Sequence, residues 1–217
     1  MNPYKLKNYL LTQSADMFAS SGFTTYDEKA LRTCYSMNLQ QDVLGVVRLF
    51  CYWNRGVLYA NYTFGIRFEQ VYRLLFKIIP DDEELLQLHR EEPLRQTIFE
   101  GIDEYRNVFI RWFFMDWPLQ SEKSVSDYLK EIKGYIPKII LPYFKSNASL
   151  NEASNFFKRQ NLNFPTPEKV IVYVLNKEYD LAESVVRRLF LNNRDAAVVD
   201  RGNRLLEFIS EARAGRL

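Results

Sequence analysis

The chain has 217 residues, 47% of them apolar, with 16 Phe and 14 Tyr and a formal net charge of +2. That length suits one large or two small domains with a sizeable core, and the aromatic content excludes a disordered chain. A charge so near zero excludes strong bulk attraction to nucleic acid or to acidic membranes.

In chain order, Asn2-Pro3 reads as a helix start, with Asn as cap and Pro in the first turn. Leu6, Leu10, Met17 and Phe18 follow at near-helical spacing, with Ser14 interrupting the stripe. Gly22 predicts a left-handed stop, and Phe23 can fold back on the last turn. A short strand is expected near Ala30 to Tyr35, and residues 36–44 leave the choice of element open. Gly45 to Ile66 holds two β-rich runs around Asn54-Arg55-Gly56, which predicts a hairpin. Alternation puts Val47, Leu49, Cys51 and Trp53 on one face with Leu58, Ala60, Tyr62, Phe64 and Ile66. These should pack against the first helix. The reverse face carries Val46, Arg48, Phe50, Tyr52, Tyr59, Asn61 and Thr63.

Phe68, Val71, Tyr72 and Leu75 form a helical stripe that ends before Pro80. Asp81 to Glu92 reads as a solvated helix or loop, and Val108 to Met115 as a further strand. Trp117-Pro118 is expected to end that strand and open a linker to Lys123. The second half reads as helical. Ser124 with Asp127, Ser149 with Glu152 and Asp180 with Glu183 resemble capping boxes, and Thr166-Pro167 is a cap-plus-Pro start. Pro137 and Pro142 should bend or break their helix. Helices near 167–176 and 180–191 should be joined by Lys177-Glu178-Tyr179. A last helix runs from Asp195 to Arg213, with Gly202 a weak point.

This order of features resembles a bacterial family of α+β domains of unknown function. Gly22-Phe23, the run Asn61 to Ile66, a later Trp segment and Leu141-Pro142-Tyr143-Phe144 carry the likeness, which covers roughly residues 5 to 160. It implies an antiparallel sheet with packed helices and supplies no catalytic residues. Small domains of this kind are encoded near toxin–immunity or phage-defence genes, so the resemblance implies a binding role.

Residue chemistry offers few alternatives. His89 stands in a charged run with no Ser or Cys nucleophile at a readable spacing; it reads as a surface histidine, and a triad would need tertiary contacts. Cys34 and Cys51 lack zinc or disulfide spacing and, with no signal peptide read, suggest free thiols in a reducing cytoplasm. Asp81 to Glu84 could hold a cation, but acids also suit a helix N-terminus. Gly45, Gly56 and Gly65 read as turn or bulge glycines. Arg187, Arg188, Arg194, Arg201 and Arg204 make the C-terminus basic, but Asp195, Asp200 and Glu207 interrupt them, so nucleic acid is disfavoured. No run is long enough to span a membrane.

The sequence thus predicts an α+β fold: a sheet domain over 1–120 and a helical region over 121–217 packed on it. The expected function is a non-catalytic, cytoplasmic interaction module, an immunity or defence-associated factor binding another protein. Arg48, Tyr52, Tyr59 and Asn61 would carry the contact, because Arg and amphipathic aromatics supply interface hot spots. The bland alternative is that the C-terminal helices cover this face; likewise Trp112-Phe113-Phe114 reads first as core and second as a ligand pocket. No metal and no cofactor is expected. The rival readings are an enzyme with a carboxylate or tyrosine site, and a nucleic-acid accessory protein using the C-terminal arginines.

Overall fold

The computed structural model describes residues 3–28, 32–91, 94–101, 117–160 and 165–216. The fold is α+β: a six-stranded antiparallel sheet with packed helices, then a helical C-terminal region. Met1–Arg67 with Leu88–Ser146 form one compact unit, and Phe68–Gln87 with Asn147–Leu217 a second.

The first unit opens with helix α1, Pro3–Ala19. Its end follows from Gly22, whose φ of 86° is open to glycine at little cost. The Phe23 N–H then donates to Phe18 O at 3.1 Å and the Gly22 N–H to Ala19 O at 3.0 Å. This paired closure lets the Phe23 ring pack edge-on against Phe18, 5.3 Å between centroids. The strands β1 (Thr24–Glu28), β2 (Arg32–Gln40), β3 (Val43–Asn54), β4 (Val57–Phe68) and β5 (Ile98–Gly101) lie side by side in that order. The two-residue turn between β3 and β4 has both φ values positive, 49° at Arg55 and 81° at Gly56, as a twisted hairpin requires. The undecided residues 36–40 are strand, held to β3 by pairs such as Ser36 with Val46 and Met37 with Gly45.

Two expectations for this unit are corrected. Trp117-Pro118 opens no linker: Trp117–Leu119 is strand β6, pairing with β4, and Pro118 is tolerated because the strand is a short addition to the sheet. The cap of helix α4 (Glu122–Tyr135) is Ser121, not Ser124; Ser124 is the third helical residue and returns the bond. α4 runs into a π-helical turn, Ile136–Ile140, and then α5, Leu141–Asn147. The widened turn takes up Pro137, with the Leu141 N–H reaching back to Ile136 O, and Pro142 follows as the second residue of α5. The expected strand at Val108–Met115, and Trp112 with it, lies outside the described residues.

The core face of the sheet is as the alternation predicts. Leu49, Cys51, Leu58, Tyr62 and Phe64 are all buried, and α1 packs across the sheet and against α4. Phe18 stacks on Tyr35 at 4.2 Å, Tyr62 on Tyr128 at 5.7 Å, and Phe64 meets Tyr143 edge-on at 5.0 Å. Gly45 and Gly65 are not turn residues. A Cβ on Gly45 would stand 2.5 Å from the Phe144 ring, and one on Gly65 would strike Ile98 O of the neighbouring strand.

In the second unit, α2 (Glu69–Ile78) follows β4 directly, and α3 (Glu83–Glu91) begins here too. α6 (Leu150–Arg159), α7 (Pro167–Leu175), α8 (Tyr179–Val186), a π-helical turn (Arg187–Leu191) and α9 (Ala196–Arg213) complete it. Every residue of α7 from Pro167 to Val174 is buried, as suits a helix apolar nearly all round. It is the central helix, packed by α2, α6, α8 and α9. Lys177, at φ 60°, closes α7 with the same paired bonds that Gly22 gives α1. The expected Asp180–Glu183 box does not form: α8 starts at Tyr179, and Glu178 in the cap position makes no side-chain cap bond. Ser149 does cap α6, accepting from the Glu152 N–H at 3.2 Å.

Candidate functional site

The reverse face of the sheet follows from the register. Tyr26 pairs with Cys34, Cys34 with Arg48, and Gly65 with Phe99, so Tyr26, Arg48, Gly65 and Phe99 share the face that carries Tyr52 and Tyr59. Counting outward from the turn sets Tyr52 across from Tyr59. Their rings stack at 5.3 Å and 12°, a favourable cross-strand pair. Tyr52 is 42% exposed, Tyr26 47% and Phe99 56%; Tyr4 is the fourth exposed large apolar residue among those described. Tyr59, Asn61 and Phe50 are half-buried, and Arg48 is buried at 4%. The face therefore pairs exposed aromatics with an arginine held deep among them. Asn61 Oδ1 is buried and accepts no hydrogen bond among the described residues.

The acids and arginines of the second unit answer one another. Asp82 caps α3, accepting from the Leu85 N–H at 3.0 Å. It also binds Arg201 through two bonds, and Arg201 reaches Glu84 at 2.6 Å. Arg204 binds Asp200 at 3.0 Å and approaches Asp81 at 3.8 Å. Arg187 binds Glu183 at 2.7 Å, which holds that carboxyl below its usual range. The acidic run singled out as a cation candidate is thus engaged by the protein's own arginines. Among the described residues no cluster of His, Cys, Asp or Glu could hold a metal ion. Arg188 and Arg194 find no carboxylate among the described residues.

Three buried titratable groups lie apart from these pairs. Cys51 is pushed up to about 12, first by burial and in small opposition by Lys7, so its thiol stays protonated and unreactive. Cys34 is likewise a buried free thiol. Lys169 is only 4% exposed, and burial followed by the nearby Arg188 charge lowers its pKa. Sequence reasoning passed over Lys169; a lone lysine inside the apolar run Pro167 to Leu175 was the available signal.

Two clefts lie among the described residues of the second unit. A groove of about 430 Å³ joins apolar Leu74, Ile78 and Phe208 to charged Lys77, Glu207 and Glu211. A second, of about 300 Å³, is lined by the acids already paired with Arg201 and Arg204. His89 lies in α3, and its side chain is outside the described part. No helix among the described residues is long and apolar enough to cross a membrane. No family model matches the chain, and no curated protein or solved structure matches it.

Proposed function

We propose that this chain is a non-catalytic interaction module that docks a protein partner on the reverse face of its sheet. The observation that carries the reading is the stacked, partly exposed Tyr52–Tyr59 pair on a face that also exposes Tyr26 and Phe99. Rigid aromatics bury large area at low entropic cost, which makes them favoured anchors. Arg48 and Asn61 lie on the same face. Asn61, half-buried, adds amide hydrogen bonding to an otherwise apolar contact, while Arg48, buried at 4%, lies beneath the exposed aromatics. We further propose a bacterial, cytoplasmic immunity or defence-associated role, in which the partner is blocked by steric occlusion. Two separate buried thiols support the reducing compartment, and the motifs shared with the bacterial domain family support the role.

Purification from the native host with identification of co-purifying proteins supplies the partner. Tyr52→Ala and Tyr59→Ala are each expected to weaken its binding by about 1–3 kcal/mol, with unchanged circular dichroism. Full affinity in both variants would reject this surface.

A further inference from the structure

In the second unit α2 packs beside α9, and the groove between them has an apolar floor and a charged rim. On α2, Val71, Tyr72 and Leu75 are buried, while Leu74 and Ile78, one turn apart, stand half-buried beside that stripe. On α9, Phe208 closes the floor, with Arg204 a turn before it and Glu211 a turn after. The two rims differ in charge. Lys77 stands on the α2 side, Glu207 and Glu211 on the α9 side, and all three are exposed. Arg204 is committed to Asp200. Asp82, Asp180 and Glu183 of the same unit also meet arginines. Among the described residues Glu207 and Glu211 meet no cation, and Lys77 meets no acid.

Two like charges at i and i+4 repel, so the helix gains nothing from them by itself. Half-buried Leu74 and Ile78 likewise leave apolar surface in water. An apolar surface edged with cations relieves both. The lining takes in about 10 Å of each helix, from Leu74 to Pro80 and from Arg204 to Glu211. Anchors at i, i+4 and i+7 on a further helix cover the same span, and two helices side by side offer a groove that a third can fill. A volume of about 430 Å³ would also admit a small molecule, but the charges on the rim are exposed. Drug-sized ligands are held in clefts that enclose most of their surface.

We propose that this groove docks an amphipathic helix of a protein partner, its apolar stripe on Leu74, Ile78 and Phe208 and a basic flank along Glu207 and Glu211. Charge complementarity sets the side. Lys77 repels a basic flank from the α2 rim, so the partner's cations lie over α9. The smaller cleft extends the same preference. It shares Arg204 with the groove and sets five acids against two arginines. A basic segment is thus drawn in and an acidic one kept out. The groove lies wholly within the second unit, so its role is independent of the aromatic sheet face.

The test is fluorescence anisotropy of the full chain with a labelled synthetic peptide of about four helical turns. The peptide carries a Leu stripe at helical spacing, Lys along one flank and Gln along the other. The expected result is saturable one-site binding, weaker by about tenfold or more when Glu replaces the peptide's Lys. Glu207→Lys combined with Glu211→Lys should reverse that preference; both residues are exposed, so the fold is retained. Ile78→Gln should weaken both peptides. No saturable binding overturns the proposal, as does a preference that the double variant leaves unchanged. Equal binding of a peptide of the same composition in scrambled order also overturns it, because the surface then attracts any polycation without reading a helix.

Discussion

Ser14 shows how one polar atom can be written into an apolar core. Its hydroxyl lies 2.6 Å from the Tyr62 hydroxyl, and both residues are fully buried. Burial pushes the Tyr62 pKa well up, so the phenol stays protonated. The interruption of the helical stripe was visible in the sequence. Its reason was not, because the partner stands 48 residues away on β4. Ser14→Ala is expected to cost about 1–3 kcal/mol in urea denaturation, since it leaves the phenol oxygen one partner short. Adding Tyr62→Phe should recover part of that loss. A double variant as costly as the two singles summed would show that the hydroxyls do not interact. Arg48 carries a related lesson. Alternation tells which face a residue lies on, but not how deep it sits on that face.

At the scale of elements, period and caps were legible wherever the determinants are local. The end of α1 at Gly22-Phe23, the hairpin turn at Arg55-Gly56 and the start of α7 at Pro167 depend on neighbours in sequence. β6 was not legible, because three residues become a strand only by pairing with β4. Gly202 was misread for the same reason. In an exposed helix its replacement by Ala should stabilise by about 1 kcal/mol. In α9 a Cβ at this position would stand 2.7 Å from Phe190 Cβ and 2.9 Å from Leu191 Cδ2. Gly202→Ala is therefore expected to destabilise the protein, by about 1–3 kcal/mol from overpacking. A rise in the thermal midpoint would contradict the close seating of α9 on the π-helical turn.

For the whole molecule, the α+β class was legible because strand and helix periods differ. The grouping of elements was not. Nothing local in Glu69 to Ile78 says that Val71, Tyr72 and Leu75 belong with helices far along the chain, yet α2 packs on α7. Residues 147–217 produced alone lack that helix and leave one side of α7 bare. They are expected to melt without a cooperative transition. The same residues joined by a Gly/Ser linker to 68–87 should regain it. Equal cooperativity in both would show α2 to be dispensable.

Each compact unit is assembled from two separated stretches of chain, and this bears on the order of events at the ribosome. Translation delivers α2 long before α7 exists to receive it. At about 5–20 residues per second, the interval is on the order of 4–18 s. Through that time Val71, Tyr72 and Leu75 face the cell rather than a core. The sheet waits as well, since β6, α4 and α5 follow its hairpin by many residues. Neither unit can finish in the order in which it is made. The nascent chain therefore carries an apolar helix in need of shelter, which makes this protein a natural client for chaperones that meet chains at the exit tunnel.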